Sequence, residues 1–319
     1  MKPIGPYDKP RLAIMALILL LPVTVSGHGL AKGQSKISGI AEVNGTKLYY
    51  EMSGRGRTVV LIHGGLADNR VWDDQFNELA RHYKVIRYDL RGFGKSAFSM
   101  GPYSHIEDLD ALLKFLKVER ASLIGLSLGG IIAVDLALER PKMVDALLLV
   151  SPGLRGHTFT KNEKAVAIQK AAEDQGMEKA IEMWLSHPYF ATGKKNPVYT
   201  RRTRRMLADN FRYWGPTPSP IIIKWPVRAS LERLSEIDVP TLVIVGEQDE
   251  PNILAIADTL KAGIAGARKV LLADVSHHLN MEKPKEFNRI VLDFLSGNGV
   301  RATVAAGFKS GLAGRREDH

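Results

Sequence analysis

The sequence contains no cysteine. This absence excludes disulfide bonds, thiolate metal sites and a cysteine nucleophile, because each of them requires a thiol. It does not indicate a compartment, since proteins on either side of a bacterial membrane are often free of cysteine. Aromatic residues are also few, at 7% of the chain, whereas 45% of the residues are hydrophobic. This composition is sufficient for one large domain, or for one domain with an insertion.

Long apolar runs are scarce as well. The longest covers residues 12–21, with basic residues before it and small residues at positions 25–31. It is shorter than the roughly 20 residues that a membrane-spanning helix needs. This layout is typical of a secretory signal peptide. We therefore predict that residues 1–31 are a signal peptide, or alternatively an uncleaved anchor, and that the protein is periplasmic or secreted.

Short apolar segments alternate with helix-like segments through most of the remaining chain. Residues 37–50 alternate in polarity around Asn44-Gly45, which is a strong hairpin signal. The later strand-like segments are residues 58–62, 84–88, 121–124, 145–150, 240–245 and 269–272, and the helix-like segments are residues 104–118, 131–138, 252–262 and 284–295. This alternation predicts an α/β fold with a mostly parallel, doubly wound sheet and helices on both faces. Active residues of such sheets gather beyond the carboxyl ends of the strands.

One region departs from this alternation. Residues 152–236 show helical periodicity and few strand-like runs, which predicts a helical cap over the strand ends. The α/β core then consists of residues 37–151 and 237–296, and residues 297–319 form a flexible tail. Three of the four tryptophans lie in the cap, and we expect most of its aromatic residues to form its own core.

The cap also carries most of the net charge of +10. Residues 155–233 contain fifteen Lys or Arg and seven Asp or Glu, with the densest cluster at residues 201–205. A solvated helix face is the favoured interpretation, and weak association with an anionic membrane surface is the alternative. No nucleic-acid-binding motif accompanies the cluster, so no nucleic acid is expected as a partner.

The segment Gly125-Leu126-Ser127-Leu128-Gly129 follows an apolar strand and opens a helix. A serine on such a turn, with small residues two positions before and after it, is typical of a nucleophile elbow. The alternative is a glycine-rich helix start in which Ser127 is only the N-cap residue. A serine nucleophile also needs a base and a group that orients the base.

An acid and a histidine follow later strands in the required chain order. Asp249 comes shortly after the strand of residues 240–245, and Glu247 and Glu250 are its rivals. His277 follows the last strand and is the expected general base, with His278 as its neighbour and rival.

A glycine pair follows the first long strand. His63-Gly64-Gly65 ends that strand, and glycine lets the backbone approach a substrate closely. The N–H groups of Gly65 and of Leu128, the residue after Ser127, would form an oxyanion hole. We expect His63 to brace this loop rather than to act as a base.

Taken together, these motifs resemble the α/β-hydrolase fold family over residues 37–295. Residues 88–96 are similar to its D-x-R-G-x-G-x-S segment, and Trp72 fits its helix after the oxyanion loop. His277 with Glu282 and Pro284 resembles its H-x4-E-x-P segment, although Ser276 stands where the family usually has glycine.

The resemblance implies a serine hydrolase acting on a carboxylic ester or lactone, similar to esterases and the 3-oxoadipate enol-lactonase type. The sequence gives no evidence for a metal or an organic cofactor, and none is expected. The alternatives are a carbon–carbon bond hydrolase, a cofactor-free haloperoxidase or perhydrolase, and a non-catalytic binding protein on the same fold. The sequence leaves the substrate and the oligomeric state open.

Overall fold

The computed structural model describes residues 36–98, 101–158, 163–190, 192–216 and 222–297. The predicted signal peptide or anchor (residues 1–31) and all but the first residue of the predicted tail (residues 297–319) lie outside these ranges. Within the ranges, none of the helices has the length and apolar character needed to cross a membrane.

A single sheet contains all eight strands of the described residues. The strands are β1 (Ile37–Val43), β2 (Thr46–Ser53), β3 (Thr58–Ile62), β4 (Lys84–Tyr88), β5 (Ala121–Leu126), β6 (Val144–Val150), β7 (Thr241–Gly246) and β8 (Arg268–Leu272). They lie side by side in the order β1-β2-β4-β3-β5-β6-β7-β8. β2 pairs antiparallel with both β1 and β4, and every other pairing is parallel. The prediction of a mostly parallel sheet is confirmed.

Helices cover both faces of the sheet. They are α1 (Asp73–Ala80), α2 (His105–Phe115), α3 (Leu128–Glu139), α4 (Glu163–Asp174), α5 (Met177–Leu185), α6 (Pro197–Asp209), α7 (Phe211–Trp214), α8 (Pro251–Gly263), α9 (Leu279–Glu282) and α10 (Pro284–Leu295). α1, α9 and α10 contribute to the core on one face, and α2, α3 and α8 contribute to the core on the other. α4 to α7 all lie between β6 and β7 in the chain, within the stretch that we call the helical segment (residues 152–236).

The central strands β3, β5, β6 and β7 are mostly apolar because both of their faces are buried. In β3, Val59 and Leu61 belong to the core with α1 and α10, whereas Val60 and Ile62 belong to the core with α2 and α3. Successive side chains of a strand point to opposite faces, so a strand covered on both sides shows a continuous apolar run.

The order of the strands determines where a site can form. The chain passes from β3 outward to β4 and then returns to place β5 on the other side of β3, with Ile62 paired to Gly125. The loops after β3 and β5 therefore lie beside each other, at the point where the winding of the sheet reverses. Ligands of open α/β sheets bind at such a point.

The basic cluster at residues 201–205 is largely paired with acids. Arg202 lies 2.7 Å from Asp74 of α1, and Arg204 lies 2.6 Å from Glu178 of α5. The first of these ion pairs joins the helical segment to the core, so part of the cluster serves contacts within the protein.

Candidate active site

Ser127 occupies the sharp turn between β5 and α3. Its φ of 53° and ψ of −110° lie outside the favoured regions for a residue with a side chain, at a cost of about 1–3 kcal/mol. Backbone hydrogen bonds hold this conformation, from Ser127 N to Val150 O at 3.0 Å and from Gly153 N to Ser127 O at 3.1 Å. The Ser127 side chain makes no capping hydrogen bond to α3, so its hydroxyl does not serve as a helix cap.

Close backbone approach explains the glycines around Ser127. A Cβ atom on Gly125 would lie 2.7 Å from the nitrogen of Gly130, and a Cβ atom on Gly129 would lie 2.9 Å from the carbonyl oxygen of His63. Both distances are well inside van der Waals contact with backbone atoms that cannot move independently. The turn therefore requires the residue pattern from which it was predicted.

His277 and Asp249 meet at the same edge of the sheet, after β8 and β7. The Nδ1 atom of His277 lies 3.1 Å from one carboxylate oxygen of Asp249 and 3.2 Å from the other. A carboxylate accepts hydrogen bonds, so this contact places the proton on Nδ1 and leaves Nε2 as an acceptor. The predicted base is thus oriented by the predicted acid.

Glu247 and Glu250, the two alternative acids, accept hydrogen bonds from other groups. Glu250 accepts a hydrogen bond from the Tyr189 hydroxyl at 3.0 Å, and Glu247 accepts one from the backbone N–H of Asp274 at 3.4 Å. Asp249 is the acid for which the structure shows a hydrogen bond to the His277 ring.

His278 is buried beside the predicted base. Burial, followed by the nearby charges of His277 and Arg202, lowers the pKa of His278 to about 3. Its Nδ1 atom has no hydrogen-bond partner among the residues that the structure describes. An imidazole with no carboxylate to orient it is a poorer general base than His277.

One cavity of about 210 Å³ brings the predicted residues together. Ser127, His277, Gly65 and Leu128 all line it. In the described chain no hydrogen bond joins the Ser127 hydroxyl to His277, and such bonds often tighten only when substrate is bound.

The two predicted oxyanion donors, the N–H groups of Leu128 and Gly65, lack a protein acceptor for different reasons. Leu128 is the first residue of α3, so its N–H has no acceptor within the helix. Gly65 lies in the loop after β3, and within the described ranges its N–H donates no hydrogen bond to the protein. Both N–H groups are therefore available to an oxygen atom in the cavity.

His63 fixes the loop that carries Gly65. Its Nε2 atom accepts a hydrogen bond from Leu90 N at 2.9 Å, so Nδ1 carries the proton and donates to Gly64 O at 2.8 Å. Burial lowers the pKa of His63, which favours this neutral form. The carbonyl and N–H of a trans peptide point in opposite directions, so holding the Gly64 carbonyl also orients the Gly65 N–H.

The remaining wall of the cavity is uncharged. Its other residues are Gly64, Leu66, Ile131, Gly153, Tyr189, Phe190, Ile253 and His278. No lysine, arginine, aspartate or glutamate of the described chain lines it. Tyr189 and Phe190 come from the helical segment, and among its described residues they are the aromatic ones that reach the cavity.

Two features near His277 could not be predicted from the sequence. The ring of Tyr189 stacks on His277 at a centroid distance of 4.2 Å and an angle of 27°. Ser276 makes hydrogen bonds to the turn that carries Tyr189. The only signal for either feature is that Ser276 replaces the usual family glycine.

A larger cavity of about 620 Å³ lies elsewhere and contains none of the predicted site residues. Many of its lining residues are charged, and ion pairs join Arg70 to Asp68 at 2.5 Å and Arg87 to Glu51 at 2.6 Å. Nowhere in the described ranges do three or more His, Asp or Glu side chains form a group that could hold a metal ion.

Comparison with known proteins gives the family. Residues 59–290 match the model of the alpha/beta hydrolase family. Among curated relatives, a 2-hydroxy-6-oxononadienedioate/2-hydroxy-6-oxononatrienedioate hydrolase of Paraburkholderia xenovorans is 30% identical over 282 residues, covering 82% of this chain and 95% of that protein.

Solved structures agree with this match. The enol-lactonase from Burkholderia xenovorans superimposes with a TM-score of 0.69 at 30% identity, covering 81% of this chain and 100% of that one. Est816, an N-acyl homoserine lactone degrading enzyme, superimposes with a TM-score of 0.68 at 29% identity, covering 80% of this chain and 100% of that one. The chain therefore belongs to the alpha/beta hydrolase family, and the prediction that it is a hydrolase with this fold is confirmed.

Proposed function

We propose that this protein is a serine hydrolase that cleaves a carboxylic ester or lactone with a small, uncharged acyl group. The observation that carries the proposal is that His277, which is hydrogen-bonded to Asp249, lines one cavity together with Ser127 and with Gly65 and Leu128, whose N–H groups are unpaired. This set contains the nucleophile, base, orienting acid and oxyanion donors that acyl transfer requires.

In the first half of the reaction, Ser127 Oγ attacks the carbonyl carbon of the substrate while His277 Nε2 takes the hydroxyl proton. The negative charge that develops on the carbonyl oxygen accepts hydrogen bonds from the N–H groups of Gly65 and Leu128. His277 then donates its proton to the leaving oxygen, and the acyl group remains on Ser127.

In the second half, water attacks the acyl-enzyme and His277 takes a proton from it. Collapse of the second tetrahedral intermediate releases the carboxylic acid and returns the proton to Ser127. Asp249 keeps the His277 proton on Nδ1 and stabilises the imidazolium that forms in both halves.

The lining of the cavity supports the substrate class. A carboxylate buried in an apolar cavity without a cationic partner is strongly unfavourable. The relative from Paraburkholderia xenovorans is named for dioate substrates, which carry two carboxylates. The absence of Lys and Arg from the described lining therefore favours neutral substrates, such as simple esters and lactones, for this chain.

A carbon–carbon bond hydrolase with the same nucleophile is the second candidate. The 30% identity to the dioate hydrolase favours it, and the uncharged cavity wall opposes it. A haloperoxidase or perhydrolase activity would use the same residues, and a non-catalytic binding protein would not use them at all.

The test is hydrolysis of p-nitrophenyl esters from acetate to palmitate, and of simple lactones, by wild type, Ser127→Ala and the control Ser186→Ala. Ser127→Ala should lower kcat by roughly 10³-fold or more, because it removes the nucleophile. Ser186 is an exposed serine of the helical segment, so its variant should retain wild-type activity.

Each contrary result has a distinct meaning. Unchanged ester hydrolysis in Ser127→Ala would refute the mechanism. Labelling of Ser127 by a fluorophosphonate without ester or lactone hydrolysis would move the assignment to carbon–carbon bonds. A folded protein that neither turns over nor labels would be a binding protein.

A further inference from the structure

Ser276 connects the loop that carries His277, which we call the base loop, to the helical segment. Its side chain is fully buried directly before His277. Its hydroxyl lies 2.6 Å from Thr192 Oγ1, 3.2 Å from the carbonyl oxygen of Tyr189 and 3.0 Å from Glu282 Oε1. A glycine at this position would have no side chain and would make none of these contacts.

Thr192 and Glu282 complete the connection. The Thr192 hydroxyl also donates to Glu282 Oε2, and Ser276 N donates to Glu282 Oε1 at 3.3 Å. The carboxyl of Glu282 thus receives donors from the base loop and from the helical segment. We call Ser276, Thr192 and Glu282 the clasp.

The clasp holds the turn that forms one wall of the cavity. Tyr189 and Phe190 lie on this turn and line the cavity together with Ser127. The Tyr189 ring stacks on His277 at 4.2 Å, and the Phe190 ring lies 5.0 Å from His278. Any displacement of the turn away from Ser276 would therefore widen the cavity directly beside the base.

Few other polar contacts fix this turn to the base loop. The Tyr189 hydroxyl reaches Glu250, which lies on the loop after β7. The hydrogen bonds between the turn and the segment from Ser276 to Glu282 all involve the Ser276 or Thr192 hydroxyl in the described chain. Losing the Thr192 hydroxyl leaves Glu282 Oε2 without its donor, and losing the Ser276 hydroxyl leaves the Tyr189 carbonyl without its donor, so either loss favours movement of the turn.

We propose that the clasp sets the distance between the aromatic wall and His277, so that Ser276 and Thr192 are positioning residues that restrict the enzyme to short acyl groups. This inference rests on the proposed ester hydrolase function. It assigns a specificity role to residues that do not line the cavity.

The experiment compares Ser276→Ala, Thr192→Val and the double variant with wild type on p-nitrophenyl acetate, butyrate and octanoate. In each single variant, the ratio of kcat/KM for octanoate to that for acetate should rise about fivefold, the factor that corresponds to the loss of one typical intramolecular hydrogen bond. The double variant should rise no further than the single variants, because both substitutions open the same clasp.

Two controls separate positioning from general destabilisation. Thr192→Ser keeps the hydroxyl and should preserve the wild-type ratio, as should Lys195→Ala, an exposed change next to the same turn. A purely structural role would lower Tm and the rates on all esters together, leaving the ratio unchanged. Thr192→Val provides an independent result if Ser276→Ala does not fold.

The outcomes distinguish this inference from the proposed function. Wild-type enzyme that hydrolyses no ester refutes this inference, and wild-type enzyme that hydrolyses neither esters nor lactones refutes the proposed function as well. Active wild type with an unchanged chain-length ratio in Ser276→Ala and Thr192→Val refutes the clasp alone. A raised ratio in both single variants, restored in Thr192→Ser, establishes it.

Discussion

Replacing His63 with alanine tests how the oxyanion loop is oriented. His63 donates from Nδ1 to Gly64 O at 2.8 Å and accepts from Leu90 N at 2.9 Å. The substitution removes both hydrogen bonds without touching Ser127 or the base. The Gly64–Gly65 peptide then loses its hydrogen bond from the His63 ring, and the Gly65 N–H is held less firmly in its direction.

The substitution has one effect on stability and a separate effect on kcat. The buried Leu90 N–H is left without an acceptor, which costs about 1–3 kcal/mol of stability, and truncation of the ring adds a cavity. Complete loss of one oxyanion donor lowers kcat by about 10²–10³-fold. Ala67 N also donates to Gly64 O at 3.3 Å, so the loop keeps one restraint and we expect the lower end of that range.

The assay is kcat and KM on a short p-nitrophenyl ester, together with urea unfolding. His63→Ala should lower kcat about 10²-fold with little change in KM, because the donor acts on the transition state. His105→Ala is the matched control, since His105 is equally buried but lies on α2 and its ring makes no hydrogen bond to the loop that carries Gly65 within the described residues. If His63→Ala lost stability but kept kcat within about threefold of wild type, the reasoning about peptide orientation would be wrong.

Three further predictions concern the acid, the elbow and acid stability. Asp249→Asn should lower kcat by about 10⁴-fold with little change in Tm, because an amide that donates to His277 Nδ1 enforces the wrong tautomer. Gly125→Ala should cost at least about 3 kcal/mol of unfolding free energy in urea titration, since the added Cβ would lie 2.7 Å from the nitrogen of Gly130. Burial lowers the pKa of His105 to about 3, below its unfolded value, so its stabilising contribution is present above pH 6.5 and is lost as the pH falls towards 3. His105→Phe should therefore reduce the loss of unfolding free energy between pH 7.5 and 5.5 by about 1 kcal/mol.

Each of these has its own check. Gly101→Ala is the control for the elbow, because nothing lies within 4 Å of its added Cβ, and equal stability losses in the two variants would contradict the packing argument. An Asp249→Asn variant with wild-type kcat would show that the carboxylate does not set the tautomer. An unchanged pH slope in His105→Phe would mean that His105 titrates normally in the folded protein.

Local sequence signals were sufficient for the fold and for the placement of the predicted site residues. The β3 and β5 segments are apolar because both faces are buried, and Asn44-Gly45 forms a turn with positive φ values of 46° and 67°. Gly125 and Gly129 flank Ser127 because the turn excludes side chains. These constraints act within a few residues, so a single sequence reveals them.

The contacts that form the wall of the cavity could not be predicted from these local signals. Tyr189 stacks on a histidine 88 positions later in the chain, and Thr192 bonds to Ser276 across 84 positions. Such contacts depend on how the helical segment packs, which periodicity does not specify. The one local clue was Ser276 in place of glycine, and it indicated a difference without indicating the partner.

The uncharged wall also has a consequence for how turnover ends. Ester hydrolysis converts a neutral substrate into an acid that is ionised at neutral pH. Beyond the two N–H groups of Gly65 and Leu128, the described lining offers that anion no fixed positive charge, and water solvates it better than apolar side chains do. For the proposed ester hydrolysis, we therefore expect the ionised acid to leave the cavity readily and to compete only weakly with substrate.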